Sequence, residues 1–500
     1  MTRFALTAAA GVISLLLVPL SARQLPSSGD HVALLTSGDR LASEARFGEA
    51  LEAYREALDG APKAHHARAG AGVVTMLLRL AEFDEARAVA VGLRDRIPGV
   101  SSVLALSGEA LWAAGLFEAA EADFESALRL NPNEARARDG LARSLAARGR
   151  FDDALEESRI AVSLSPLTPE FRHTLASIRE RTNQFDEAAA DYEVYAGLLP
   201  NSDRGEKAAW TRAQVKFLRS FHGRVPFQLA GGARSHSVKF RMAGDKVVVT
   251  GRVNGGREID FVLDTGSEQT VLSRPIAERS GVRPITYVQS AGVGQVRMRA
   301  LQAGRINTLE IGSLKIRNVP TLIKSPALRG LPTAETESFS PLALGLSMTI
   351  DYGRRELTMA PSLPDETFDM TLPLRMHRLA MVPGIVDGRQ VSFVVDTGGE
   401  VISISTRTAD TLDERPGVRQ VPLKVYGSSG WAPKAFLRPY VDLSFAGVSY
   451  PNRSVVVLDL DAPSALLGFK VGGIVGHRFL RDYRVSIDLP RARLGLQTLD

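Results

Sequence analysis

Two carboxylates stand in matched local sequences and could do chemistry together. Asp264 ends the apolar run Phe261-Val262-Leu263 and is followed by Thr265-Gly266. Asp396 ends Phe393-Val394-Val395 and is followed by Thr397-Gly398. They are 396 − 264 = 132 positions apart, about the size of a small domain. Hydrolysing a peptide bond without a metal or a covalent intermediate requires a base to activate water and an acid to protonate the amide. Two carboxyls held face to face supply both, because like charges at short range cannot both ionise and so share one proton. Such a pair titrates as a unit, so neither aspartate takes a fixed role.

The surrounding residues indicate what must position these carboxylates. Each triplet follows a polar turn, Val253-Asn254-Gly255-Gly256 in one case and Val386-Asp387-Gly388 in the other. Each precedes a β-type run, Thr270-Val271-Leu272-Ser273 or Val401-Ile402-Ser403-Ile404-Ser405. From about residue 225 onward, short β-rich runs are broken by Gly, Pro and Asn, which predicts all-β barrels or sandwiches. The two halves align beyond the triplets: 311–319 with 445–455, and Met348-Thr349-Ile350-Asp351-Tyr352 with Val485-Ser486-Ile487-Asp488-Leu489. This reads as one domain duplicated, occupying 225–361 and 371–500, with a boundary near Pro361-Ser362-Leu363-Pro364.

The first two-fifths have a different period. Phe47, Phe83, Phe117, Phe151 and Phe185 recur at spacings of 36, 34, 34 and 34, each three residues before an alanine. Pro62, Pro98, Pro132, Pro166 and Pro200 keep the same spacings. Two residue types advancing together at this period signal helix-turn-helix repeats. Phe, Ala and Leu give each helix an apolar stripe that only neighbouring repeats can bury. Proline ends each second helix because it has no amide proton to continue the ladder. Five units cover about 31–205, and a capping helix over 207–221 extends the array to 31–221.

The repeats resemble tetratricopeptide repeats, as in the 104–115 segment, and the two triplets resemble the active-site strands of retropepsin-like aspartic proteases. The second half has the closer resemblance, with Gly473-Ile474-Val475-Gly476 followed by Phe479-Leu480 and a final strand. In the first half, 343–348 runs almost straight into the final strand, which predicts a helix cut back there. The resemblance implies a multidomain chain: an all-α solenoid, then two all-β retropepsin-like barrels forming a pseudo-dimer. It implies that Asp264 and Asp396 hold the water between them, and that Thr265 and Thr397 hydrogen-bond across the interface. Gly266 and Gly398 would bring backbone amides near the carboxylates. Ser267 could donate to the outer carboxylate oxygen of its own loop, whereas Gly399 cannot. Flaps are expected at Gly292-Val293-Gly294, within 291–295, and at Gly427-Ser428-Ser429-Gly430-Trp431, each about 30 residues past its aspartate.

Composition narrows the alternatives. The net charge of +5 is small for 500 residues and no long basic run occurs, so nucleic acid is not an expected partner. Cysteine is absent, which excludes disulfides, zinc-thiolate sites and a cysteine nucleophile. The histidines form no His-Glu-x-x-His pattern, and Gly292-Val293-Gly294 lacks the third glycine of a dinucleotide loop, so no metal or cofactor is expected. The uncharged stretch 4–22 after Arg3 resembles a secretory signal with cleavage after Ala22. Residues 1–23 are thus read as a signal peptide or an uncleaved anchor, with the protein exported to the periplasm or beyond.

The expected function is an exported aspartic endopeptidase acting on a peptide or protein substrate, with a protein partner or substrate recruited by the repeats. The alternatives are a non-catalytic peptide-binding module that keeps the cleft, and a scaffold in which the repeats do the work. Repeats and protease-like part are expected to be separable near 222–225, each burying its own core.

Overall fold

The computed structural model describes residues 31–60, 65–203, 205–294, 298–324, 337–414 and 419–499. The proposed signal segment, Pro62 and Gln295 lie outside them.

Each repeated phenylalanine is the first residue of a second helix: Phe47–Gly60, Phe83–Arg96, Phe117–Leu130, Phe151–Leu164 and Phe185–Leu198. The alanine three residues on (Ala50, Ala86, Ala120, Ala154, Ala188) has no exposed surface in any repeat. A methyl is what fits where helices approach this closely. First helices are His31–Ser43, His66–Arg79, Ser101–Ala113, Ala135–Ala147 and Pro169–Arg181, and Glu206–Arg219 closes the array. The turn inside each repeat needs one left-handed residue, supplied by Ala45, Ala81, Gly115, Gly149 and Asn183. The two glycines mark more than conformation. A Cβ at Gly115 would lie 3.1 Å from the Lys470 carbonyl, and one at Gly149 would lie 3.2 Å from that of Leu489. Those two turns press on the β part.

The β part is two copies of one topology. In the first, Glu258–Leu263 lies between antiparallel Lys246–Val253 and parallel Glu337–Phe339. Glu337–Phe339 runs antiparallel to Thr270–Ser273, which is parallel to Leu314–Lys324. In the second, Arg389–Asp396 lies between antiparallel Leu379–Val386 and parallel Gly473–Gly476. Gly473–Gly476 runs antiparallel to Ser403–Ser405, which is parallel to Val448–Leu458. A six-stranded sheet joins the copies, with Ser347–Asp351 antiparallel to Tyr483–Asp488 at its centre. Thr349 faces Ser486 there, the equivalent residue of the other copy, so an approximate two-fold axis passes between them. One hydrophobic core spans both copies, from Phe261 and Phe339 to Phe393 and Ile487.

The repeats and the β part share buried contacts, where the sequence reading expects few to cross near 222–225. Trp112 and Phe117 share a buried cluster with Phe469, Val471 and Leu458 of the second half. Phe217 and Phe221 share another with Ala303 and Leu322 of the first half. Ser392 Oγ donates to the Gly115 carbonyl at 2.6 Å, and Lys470 N donates to that of Ala113 at 2.7 Å. Lys470 also pairs with Asp84 at 2.9 Å, and Arg305 donates to the Ser220 carbonyl at 2.6 Å. The array therefore touches the second half at its second, third and fourth repeats and the first half at its closing helix. Apolar clusters of this kind, not a flexible tether, hold the two together.

Candidate active site

Asp264 follows the strand Glu258–Leu263, with its amide donating to the Phe339 carbonyl at 2.9 Å. Asp396 is the last residue of Arg389–Asp396, paired with Gly476. Both strands are buried where they approach the aspartates, at Phe261–Leu263 and Val391–Val395, so the chain emerges into the loop at a fixed point.

The loops are locked to each other by a reciprocal set of hydrogen bonds. Thr265 Oγ1 donates to the Val395 carbonyl at 2.6 Å, and Thr397 Oγ1 donates to that of Leu263 at 2.8 Å. Each hydroxyl accepts from the other threonine's amide, at 3.0 and 3.1 Å. Both threonines are fully or almost fully buried, so all four bonds lie out of water, where an orphaned partner would be costly. The Gly266 amide donates to Asp264 Oδ1 at 3.1 Å, and the Gly398 amide donates to Asp396 Oδ1 at 2.8 Å. Glycine is required by the approach of the opposite carboxyl. A Cβ on Gly266 would lie 2.5 Å from Asp396 Cγ, and one on Gly398 would lie 2.6 Å from Asp264 Oδ1.

The two carboxyls face each other, each set against the glycine of the opposite loop. Desolvation, then the charge of Asp396, pushes the Asp264 carboxyl up to about 7. Lys324 and Lys246 pull in the opposite direction. The Lys246 ammonium donates to the Gly398 carbonyl, in the second aspartate's loop. Neither lysine is marked in the sequence, since they lie 18 residues before and 60 after Asp264. What signal exists is positional: Lys246 opens the strand preceding the aspartate strand, and Lys324 ends the strand parallel to Thr270–Ser273.

Ser267 does not reach the carboxylate. Its hydroxyl donates to the Gln269 carbonyl at 2.8 Å, a local turn bond that competes well with longer reaches. The Ser267 and Gly399 amides both donate back to their own aspartate's carbonyl at 3.3 Å, so the two loops close alike despite the sequence difference. The cut-back helix is present as expected: Leu342–Leu344 is one 3-10 turn, against the α-helical His477–Leu480. The first-half counterpart of Gly473–Gly476 was missed. It is Glu337-Ser338-Phe339-Ser340, without glycine, and the buried Glu337 carboxylate accepts from Ser273 Oγ at 2.5 Å.

The flap candidates meet. Val425–Gly427 and Gly430–Ala432 form a hairpin with Tyr426 edge-on to Trp431, ring centres 4.9 Å apart. Gly292, Val293 and Gly294 lie at the tip of the hairpin formed by Pro284–Ser290 and Arg299–Ile311. Ser429 N donates to the Val293 carbonyl at 2.9 Å. The tips interlock so closely that a Cβ on Gly427 would lie 2.2 Å from the Val293 oxygen, and one on Gly292 would lie 1.9 Å from Ser428 Oγ. Both tips and both aspartates line one cavity of about 2000 Å³.

Comparison with known proteins agrees with this geometry. An aspartyl protease family model matches 249–347, and a gag-polyprotein aspartyl protease model matches 382–471. A tetratricopeptide repeat model matches 105–169 and 140–203. The chain is thus a fusion of tetratricopeptide repeats with two successive aspartyl-protease segments. Among solved structures, it is similar to a thermophilic tetratricopeptide protein of Thermus thermophilus, at 23% identity and a TM-score of 0.32, covering 38% of this chain and 99% of that one. It is also similar to a tetratricopeptide repeat protein from Parabacteroides merdae, at 20% identity and a TM-score of 0.29, covering 38% of this chain and 72% of that one. No curated protein matches the chain.

Proposed function

We propose that this chain is an aspartic endopeptidase whose catalytic dyad, Asp264 and Asp396, is assembled within one chain. The observation that carries the reading is the pair of facing carboxyls, fixed by reciprocal threonine bonds on an approximate two-fold axis. Water held between the carboxyls loses a proton to the ionised one as its oxygen attacks the peptide carbonyl carbon. The other carboxyl gives its proton to the carbonyl oxygen, leaving a gem-diol. Proton return through the dyad to the amide nitrogen lets the C–N bond break, and one carboxyl again holds one proton. Closed flap tips exclude bulk water from this exchange.

The segment 1–23 is proposed as the export signal or membrane anchor, placing the enzyme in the periplasm or outside the cell. The repeats are proposed to engage substrate or a protein partner. A second reading, binding without cleavage, draws on Lys246 and Lys324, whose charges oppose the shared proton the mechanism needs. Incubation of full-length protein with an unstructured peptide, with and without pepstatin, tests the first reading. Pepstatin-sensitive fragments are expected; an intact peptide that nevertheless binds would support the second.

A further inference from the structure

The hollow side of a helical repeat array is ordinarily open to a ligand. Here it faces the protease. Trp112, His173 and Gln214 line the same cavity as Asp264 and Asp396. The cavity therefore has two walls of different origin, with the dyad and flap tips on one and the repeats on the other.

The charges on the repeat wall are mostly answered. Arg136 pairs with Glu109, and Arg79 with Glu170. The Glu180 carboxylate accepts from Gln214 at 2.8 Å and from the Tyr192 hydroxyl at 3.2 Å. Arg378, from the protease side, is held by Glu268 at 2.6 Å. Arg181 is different. It lies on the Phe151 ring, its guanidinium carbon 4.9 Å from the ring centre, and it pairs with no carboxylate among the described residues. Desolvation alone pulls it down to about 10, with no anion offsetting the loss. Arg143 lines the same cavity over the Trp112 ring, at 5.5 Å, with Asp139 3.2 Å away. His377, itself 5.9 Å from Trp112, feels the charge of both arginines, and its buried Nδ1 has no hydrogen-bond partner among the described residues. Lys207, near the Tyr195 ring at 5.9 Å, and Glu400, on the dyad side, make no ion pair among the described residues. A guanidinium over an aromatic ring that pairs with no carboxylate can offer its N–H donors to one.

We propose that the inner face of the repeats is a substrate-binding wall of the cleft, where Arg181, backed by Arg143, receives a carboxylate of the bound peptide. The carboxylate is an acidic side chain or the peptide's C-terminus. The proposal rests on the peptidase reading only for what happens after binding, since capture of the carboxylate needs no cleavage. It also recasts the repeats from a recruiting surface for a separate partner into part of the specificity pocket.

The test uses the full-length chain carrying Asp396→Asn, so that bound peptide is not consumed. Pools of ten-residue peptides, with Glu fixed at each position in turn, are compared with matched Gln pools by fluorescence anisotropy. Each pool is made with a free and with an amidated C-terminus, which tells a side-chain carboxylate from a terminal one. The acidic or free-acid form is expected to bind at least about tenfold more tightly at one position, the worth of a charge-assisted hydrogen bond. Adding Arg181→Met should bring that ratio close to one, and Arg181→Lys should restore part of it. If Arg181→Met fails to fold, Arg143→Gln must lower the ratio in its place. Equal binding of acidic and amide pools, or a ratio that survives Arg181→Met in folded protein, overturns the proposal. Wild-type cleavage is scored separately. A carboxylate preference without cleavage removes the peptidase reading and leaves this one; cleavage without the preference does the reverse.

Discussion

At the residue scale, the site is a contest over one proton. Desolvation and the facing carboxylate hold it on the dyad up to about pH 7, while Lys246 and Lys324 work to release it. Activity should therefore be retained through mildly acid pH and fall as pH rises past about 7. Lys246→Met removes one opposing charge, so the falling limb of the pH–rate profile should move to higher pH; a limb that stays or moves lower contradicts the assignment. Stability carries the same sign. Folded Asp264 binds its proton more tightly than the ordinary 3.8 of the unfolded chain, so wild-type stability is lost as pH rises from about 4 to 7. Asp264→Asn escapes that loss, and its melting temperature relative to wild type should rise between pH 4 and pH 8. The aspartates and threonines were legible because the same strand-plus-triplet pattern occurs twice. Ser267 was misread because its choice between a carboxylate and the Gln269 carbonyl depends on turn geometry. Lys246 and Lys324 had no pattern to betray them, since folding alone brings them to the dyad.

At the scale of elements, two features hold the cleft in register. The threonine bonds are the first. Thr265→Val leaves the Thr397 amide without its acceptor and the Val395 carbonyl without its donor, at about 1–3 kcal/mol for each orphaned group. Chemical denaturation should show that loss with an unchanged slope. The flap contact is the second. Gly427→Val would drive a side chain into the Val293 carbonyl, forcing the tips apart. Misplacing the closing loops should cost roughly ten- to a hundredfold in kcat/KM with little change in melting temperature. An unchanged kcat/KM would show that the tips need not meet. The helical period was readable to the residue, because Phe and Ala mark the start of each second helix. The first-half strand Glu337–Phe339 was not, because its counterpart is recognised by glycines it lacks.

At the scale of the molecule, the repeats close the cleft rather than hang from it. Periodicity predicts that an array stacks, yet it says nothing of what the array's hollow side will face. The trace left in sequence is small: Gly115 and Gly149 at turns where the other repeats use Ala or Asn. Because Phe469 and Val471 are buried against Trp112 and Phe117, residues 225–500 alone should expose an apolar face and aggregate. The full chain should melt in one transition, whereas two well-separated transitions would restore the independent domains expected from sequence. The central claim is that one chain builds one dyad from its two halves. Cleavage of an unstructured peptide is therefore to be measured for wild type, Asp264→Asn, Asp396→Asn and an equimolar mixture of the two variants, all folded by circular dichroism. The account predicts pepstatin-sensitive cleavage by wild type, loss of at least about a thousandfold in each variant, and no rescue on mixing. Substantial activity in either variant, or recovery in the mixture, would mean that the halves pair between chains and would contradict it.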